Sequence, residues 1–154
     1  MVSDSDGAQK LLQGVAQVFE QSHYDLYLQY QNRRHAGGNM AESTTDEYMD
    51  FLGSSWCTTQ FVEFSRAEKL IAVAVVDRLP NALSAVYTFF DPEFSDFSPG
   101  VYAVLWQIEW AKQLKLDWLY LGFWIKNCKK MSYKTEYHPF QILIDNRWLD
   151  INRG

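Results

Sequence analysis

Three β-rich runs follow one another in this chain, Gln60–Phe64, Leu70–Val76 and Leu83–Phe90, and one helical stretch separates the last of them from a fourth apolar run, Trp118–Ile125. That order constrains the fold more than any other feature. The first three runs are separated by turn-like stretches, one holding Pro80-Asn81, and read as an antiparallel meander. After Leu83–Phe90 comes a loop, Asp91 to Gly100, with Ser98 as N-cap and Pro99 at the first helical position. Val101, Val104, Leu105, Ile108, Ala111 and Leu114 recur at helical spacing and give the inner face of a helix over 100–115. Strand, crossover helix and strand demand parallel pairing and a right-handed connection. Gln141–Ile144 and Arg147–Ile151, around Asp145-Asn146, read as a closing hairpin. The fold class is α/β (α+β), a mixed sheet with a central βαβ unit.

Helices precede the sheet in this reading. Leu11, Leu12, Val15, Val18 and Phe19 fit an amphipathic helix over 8–20. Ser22 with Asp25 reads as a capping box opening a second helix, which carries Tyr24, Tyr27 and Tyr30 along one side and stops at Gly37-Gly38. Arg33, Arg34 and His35 fall at its end, where the helix dipole favours cations. Ser43 with Asp46 opens a short helix closed by Gly53. Residues 1–7 are read as a tail, and 8–154 as one domain.

Composition removes several classes. With 47% hydrophobic residues the chain is not disordered, and with a net charge of -5 it is no general nucleic-acid coat, so contact with nucleic acid is expected to be local and DNA is not expected as a partner. The two cysteines, Cys57 and Cys128, make no zinc spacing or disulfide framework, and no metal site is expected. No apolar run approaches the ~20 residues of a membrane span, so a cytoplasmic protein with no membrane partner is expected. Against the acidic background, Lys126, Lys129, Lys130 and Lys134 fall within nine residues that hold no acid. Such a local basic patch suits an anionic partner, or is a solvated turn.

Five segments carry a resemblance: Tyr30-Gln-Asn-Arg-Arg-His-Ala-Gly-Gly38, Leu83-Ser-Ala-Val-Tyr-Thr-Phe-Phe-Asp-Pro92, Leu105-Trp-Gln-Ile-Glu109, Tyr120-Leu-Gly-Phe-Trp-Ile125, and Lys130-Met-Ser-Tyr-Lys134 through Pro139. In this order, from about Tyr24 to Trp148, they resemble the C-terminal domain of aminoacyl-tRNA–protein transferases, the family of eukaryotic arginyltransferases and bacterial aspartate/glutamate leucyltransferases. The arrangement of elements resembles the GNAT acyltransferase fold. The resemblance implies transfer of an aminoacyl group from charged tRNA to the α-amine of proteins beginning with Asp or Glu, marking them for degradation through the N-degron pathway. The Arg-His-Ala-Gly-Gly segment looks bacterial, which favours leucine over arginine as the transferred residue. Family members also carry an N-terminal domain with cysteine motifs, which this sequence lacks, so a silent binding module for acidic N-termini or tRNA stands as the alternative.

The chemistry suits the residues. An aminoacyl ester is already activated, so no covalent intermediate and no cofactor are needed, only positioning, a proton acceptor and oxyanion stabilisation. Asp91 and Tyr87 are the catalytic candidates, Asp91 as acceptor of the amine proton, with Tyr120 lining the cleft between the parallel strands. Asp91 before Pro92 also reads simply as a turn residue. Arg33, Arg34 and His35 are candidates for the acceptor's carboxylate, since guanidinium pairs with it at two points. Lys126, Lys129, Lys130 and Lys134 suit the phosphates of a tRNA acceptor end, and Tyr133 or Tyr137 its terminal base. His23, His35 and His138 lack partnered spacing and read as surface or cap residues. An acetyl-CoA-dependent N-acetyltransferase is the weaker alternative. The loop Ser95-Asp-Phe-Ser-Pro-Gly-Val101 has one glycine, nearby acids and a proline without an N–H, a poor cradle for a diphosphate.

Overall fold

The computed structural model describes residues 19–34, 44–53 and 55–151, and the backbone of residues 7–13. The chain forms two compact units, one running to Tyr120 and the other beginning at Leu121.

In the first unit a five-stranded sheet runs in the order β1-β2-β3-β4-β5. The strands are β1 (Gly7–Gln13), β2 (Thr58–Arg66), β3 (Lys69–Arg78), β4 (Ala82–Phe90) and β5 (Trp118–Tyr120). The first three pairings are antiparallel and β4–β5 is parallel. Helices α1 (Gln21–Arg34) and α2 (Thr45–Leu52) precede β2, and α3 (Pro99–Gln113) joins β4 to β5. The meander and the βαβ unit are therefore as expected.

The central strand shows why the sequence folds this way. A strand covered on both faces reads as a continuous apolar run rather than an alternation, and in β3 Ala72 to Val76 are all buried. Val73 and Val75 join one core with Leu26, Tyr27 and Tyr30 of α1, Tyr48 and Leu52 of α2, Phe61 and Phe89. Ala72, Ala74 and Val76 join the other with Val62, Phe64, Leu83 and Ala103, Trp110 and Ala111 of α3.

One irregularity in β4 matters for the site. Val75 pairs with Tyr87 but Val76 pairs with Ala85, leaving Val86 as an extra residue on β4. Without that bulge Leu83, Ala85, Tyr87 and Phe89 would share one face. With it, Leu83 enters the α3 core while Phe89, with Tyr87 against it, enters the α1 core.

Several local expectations change. Residues 7–13 are an edge strand paired with β2 rather than part of a helix over 8–20; Val15 and Val18 lie outside the described residues. The α1 helix begins before Ser22, because the Glu20 carbonyl already accepts the His23 and Tyr24 N–H groups. Its stop at Gly37-Gly38 lies outside the described residues. For α2 the cap is Thr44, not Ser43. Its side chain accepts from Glu47 N while the Glu47 carboxylate accepts from Thr44 N, a full capping box shifted by one residue. Ser98 does precede α3, but in a left-handed conformation and without a side-chain cap. The buried face of α3 is Ala103, Val104, Gln107, Trp110 and Ala111, while Val101 and Leu105 are exposed. The run Trp118–Ile125 is a strand only as far as Tyr120, and Phe123 is 90% exposed.

The second unit holds a 3-10 turn, Lys129–Thr135, and an antiparallel hairpin of β6 (Gln141–Ile144) and β7 (Arg147–Asp150). Asp145 and Asn146 take positive φ at its tip (49° and 60°), as a two-residue I′ turn requires. No helix among the described residues is long and apolar enough to cross a membrane.

Candidate functional site

Helix α1 carries several of the candidate residues in the first unit. Its buried residues, His23, Leu26, Tyr27, Tyr30 and Gln31, follow helical spacing along one face. Gln31, a polar residue in this stripe, is fully buried, and its Nε2 donates to the Tyr87 hydroxyl at 2.7 Å. Gln31 Oε1 is buried without a hydrogen-bond partner among the described residues. Rings of Tyr27, Tyr30 and Phe51 pack edge-on against Tyr87, and the Arg34 guanidinium lies 5.6 Å over the Tyr30 ring. Burial, helped by the neighbouring Tyr30, pushes the Tyr87 hydroxyl up to about 12 despite the opposing pull of the Gln31 bond and Arg34. Tyr87 is therefore a neutral hydroxyl near pH 7, able to donate but not to act as a base.

The end of β4 is fixed by a second arrangement. Asp91 is 2% exposed, its N–H donates to the Ile71 carbonyl, one carboxylate oxygen accepts from Glu93 N at 3.0 Å, and the other lies 2.7 Å from Lys69 Nζ. Burial raises the carboxyl pKa, but the Lys69 ammonium and the Glu93 N–H outweigh it, and the group sits below its ordinary range. A carboxylate so occupied is a poor acceptor for a substrate proton. Its observed work is to cap the 3-10 turn Pro92–Phe97, closer to the turn reading of Asp-Pro.

Between this turn and the outer side of α1 lies an open cleft of about 620 Å³ lined by Gln29, Asn32, Arg33, Pro92 and Glu93. Arg33 enters no ion pair among the described residues, whereas the arginine after it is turned onto Tyr30. The structure thus separates the two arginines, and His35 lies outside the described residues. Tyr120 ends β5, and its pairing with Ser84 is the last between β4 and β5, so Tyr87 lies beyond the paired stretch.

The second unit contains the lysine segment. Lys126, Lys129 and Lys130 are exposed. Lys134 is half-buried, donates to the Phe123 carbonyl at 2.7 Å, and has its pKa lowered by burial. Tyr133 is exposed, and Tyr137 is half-buried with its hydroxyl pKa raised by burial and by Tyr133. Lys134 therefore ties its own loop together and is not a free surface cation.

Sequence reasoning missed Gln31, whose signal was a polar residue four positions after Tyr27 on the tyrosine face. It also read His23 as a surface or cap residue. His23 is buried, stacked on Phe61, with Nε2 2.6 Å from Glu63 Oε1. Sequence gives Glu93 only as an acid near the 95–101 loop and gives Lys69 no role, because their partners are set by the fold. No cluster of His, Cys, Asp or Glu suited to a metal occurs among the described residues.

The layered mixed sheet, with α1 and α2 on one face and α3 on the other, is a GNAT-like acyltransferase fold. It superposes on the ribosomal-protein-S18-alanine N-acetyltransferase of Escherichia coli with a TM-score of 0.60 at 11% identity, over 88% of this chain and 79% of the other. Within that class the chain belongs to the family described as arginine-tRNA-protein transferase, C terminus, which matches residues 22–144. It is 52% identical over 136 residues to the aspartate/glutamate leucyltransferase of Saccharophagus degradans, covering 88% of this chain and 58% of that one. The leucyltransferase of the same name from Hahella chejuensis is 48% identical over 133 residues, covering 86% and 57%. That from Pseudomonas fluorescens is 48% identical over 138 residues, covering 90% and 59%. The chain spans a little under three fifths of the length of these relatives.

Proposed function

We propose that this chain carries the acceptor-side machinery of a cytoplasmic aminoacyl-tRNA–protein transferase, moving leucine from charged tRNA to the α-amine of proteins that begin with Asp or Glu. The observation that carries the reading is Arg33, a cation without an ion-pair partner among the described residues, lining an open cleft. A side-chain carboxylate entering that cleft gains a two-point partner.

The reaction needs little from the protein. The acceptor amine, with a reference pKa of about 8, is neutral often enough near pH 7 to attack the ester carbonyl. A tetrahedral oxyanion forms and collapses with the tRNA ribose hydroxyl as leaving group, and the proton lost by the amine ends on that hydroxyl. Tyr87 is not among the residues lining that cleft, but it is the candidate for the oxyanion, since its hydroxyl stays protonated and Gln31 fixes it while leaving its own proton to donate. Asp91 then acts by holding the Pro92–Glu93 wall in place. Tyr120 stays a candidate for the cleft edge. In the second unit, Lys126, Lys129 and Lys130 with Tyr133 are offered to the tRNA acceptor end, with Lys134 and Tyr137 supporting them.

The 95–101 loop supports an aminoacyl rather than a coenzyme A donor. Ser98 N–H is spent on the Ser95 carbonyl, and Pro99 has none, so few donors are left for a diphosphate. The test is mass spectrometry of Asp-, Glu- and Asn-initiated peptides after incubation with leucyl-tRNA or arginyl-tRNA. Leucine on the first two and not on the third is expected; addition indifferent to the first residue would remove the assignment of Arg33.

A further inference from the structure

The cleft has two walls of opposite sign. Arg33 stands with Gln29 and Asn32 on α1, and Glu93 with Pro92 on the 3-10 turn. The Glu93 side chain is 77% exposed, but its backbone is pinned, because its N–H donates to the buried Asp91 carboxylate at 3.0 Å. Lys69 stands 2.7 Å from Asp91 and 3.7 Å from Glu93 Oε2, so its closer partner is Asp91. Glu93 thus brings an exposed carboxylate, shared at 3.7 Å with Lys69, to the wall of a cleft whose other wall carries Arg33.

We propose that Glu93 binds the α-ammonium of the incoming chain while Arg33 binds its side-chain carboxylate, so that the cleft reads both charges of an acidic N-terminal residue. The inference rests on the acceptor reading above and deepens it. An internal Asp or Glu offers only the carboxylate, and a neutral N-terminal residue only the ammonium. An N-terminal acidic residue alone satisfies both walls, and the side-chain amides of Gln29 and Asn32 are available to the first peptide bonds. Lys69 has a defined part here. By partly offsetting Glu93 it keeps the carboxylate from holding the amine too firmly in the protonated, unreactive form.

Calorimetry with short peptides on the full chain tests this. The set is an Asp-initiated peptide, its N-acetylated form and the Asn-initiated peptide, each titrated into wild type, Glu93→Gln and Arg33→Ala. Wild type is expected to bind the free Asp peptide about tenfold more tightly than either control, on the scale of a partly exposed charge pair. Glu93→Gln should bind the free and acetylated Asp peptides alike while still preferring Asp to Asn; Arg33→Ala should do the reverse. If Glu93→Gln keeps the preference for a free amine, or wild type never shows one, the ammonium subsite is overturned while the Arg33 reading stands. If wild type does not distinguish Asp from Asn, the acceptor reading itself falls and this inference with it. Glu93 is a surface side chain, so the variant is expected to fold, and circular dichroism checks that it does.

Discussion

Gln31 Nε2 donates to the Tyr87 hydroxyl at 2.7 Å, joining the buried face of α1 to β4. The bond exists because the extra residue at Val86 turns Tyr87 toward α1 and away from the α3 face that Leu83 occupies. The hydroxyl is thereby fixed as acceptor from Gln31 and held as a donor toward whatever it faces.

Tyr87→Phe should keep the fold, at a stability cost of about 1 kcal/mol for the lost hydrogen bond. It should lower kcat by about 10²-fold with little change in the KM for peptide, as expected when a donor acts chiefly on the oxyanion. Steady-state transfer kinetics check it; an unchanged kcat would reduce Tyr87 to packing.

Asp91→Asn removes a buried carboxylate that accepts from Glu93 N and pairs with Lys69, and should cost about 1–2 kcal/mol at pH 7. The folded carboxyl pKa is lowered, so its contribution is complete above the ordinary value of about 3.9 and is lost as pH falls through the lower folded value. Denaturant unfolding across pH should show a constant gap between wild type and variant above the ordinary carboxylate range, narrowing as pH falls below that range and the folded carboxylate takes up its proton. A gap that persists undiminished at pH 2 would mean that the carboxylate's charge is not what stabilises.

Phe89→Ala empties a fully buried ring that packs on Tyr27, Tyr48 and Tyr87, and should cost about 3–5 kcal/mol by chemical unfolding.

The lysines should divide by burial. Lys130→Ala should leave stability unchanged and weaken tRNA binding, with the loss shrinking as salt rises. Lys134→Met should instead raise amide exchange around Phe123, since it removes the Nζ bond to that carbonyl. Equal exchange in both variants would contradict the distinction.

The sheet was legible because its signals are local. In β3 the stretch from Leu70 to Val76 is unbroken apolar sequence, rich in β-branched residues, and Asp145-Asn146 is a turn by its own chemistry. Leu11 and Leu12 misled because their spacing fits a helix, whereas the open edge of β2 supplied pairing partners that periodicity does not register. Trp118–Ile125 misled because an apolar run does not mark where pairing stops. At the candidate site, Tyr87 and Arg33 could be named as candidates from sequence, but their surroundings could not. The Asp91 carboxylate is engaged by Lys69, from the opposite end of the β3–β4 hairpin in sequence, and the Gln31 bond depends on a bulge that no residue type announces.

In the proposed function this GNAT-like fold takes an aminoacyl-tRNA donor. The most direct measurement offers one Asp-initiated peptide to the protein with labelled leucyl-tRNA and, separately, with labelled acetyl-CoA. The result expected for that donor is label from leucyl-tRNA on the peptide's α-amine and no modification from acetyl-CoA. Acetylation of that amine, with no transfer from leucyl-tRNA, would contradict it.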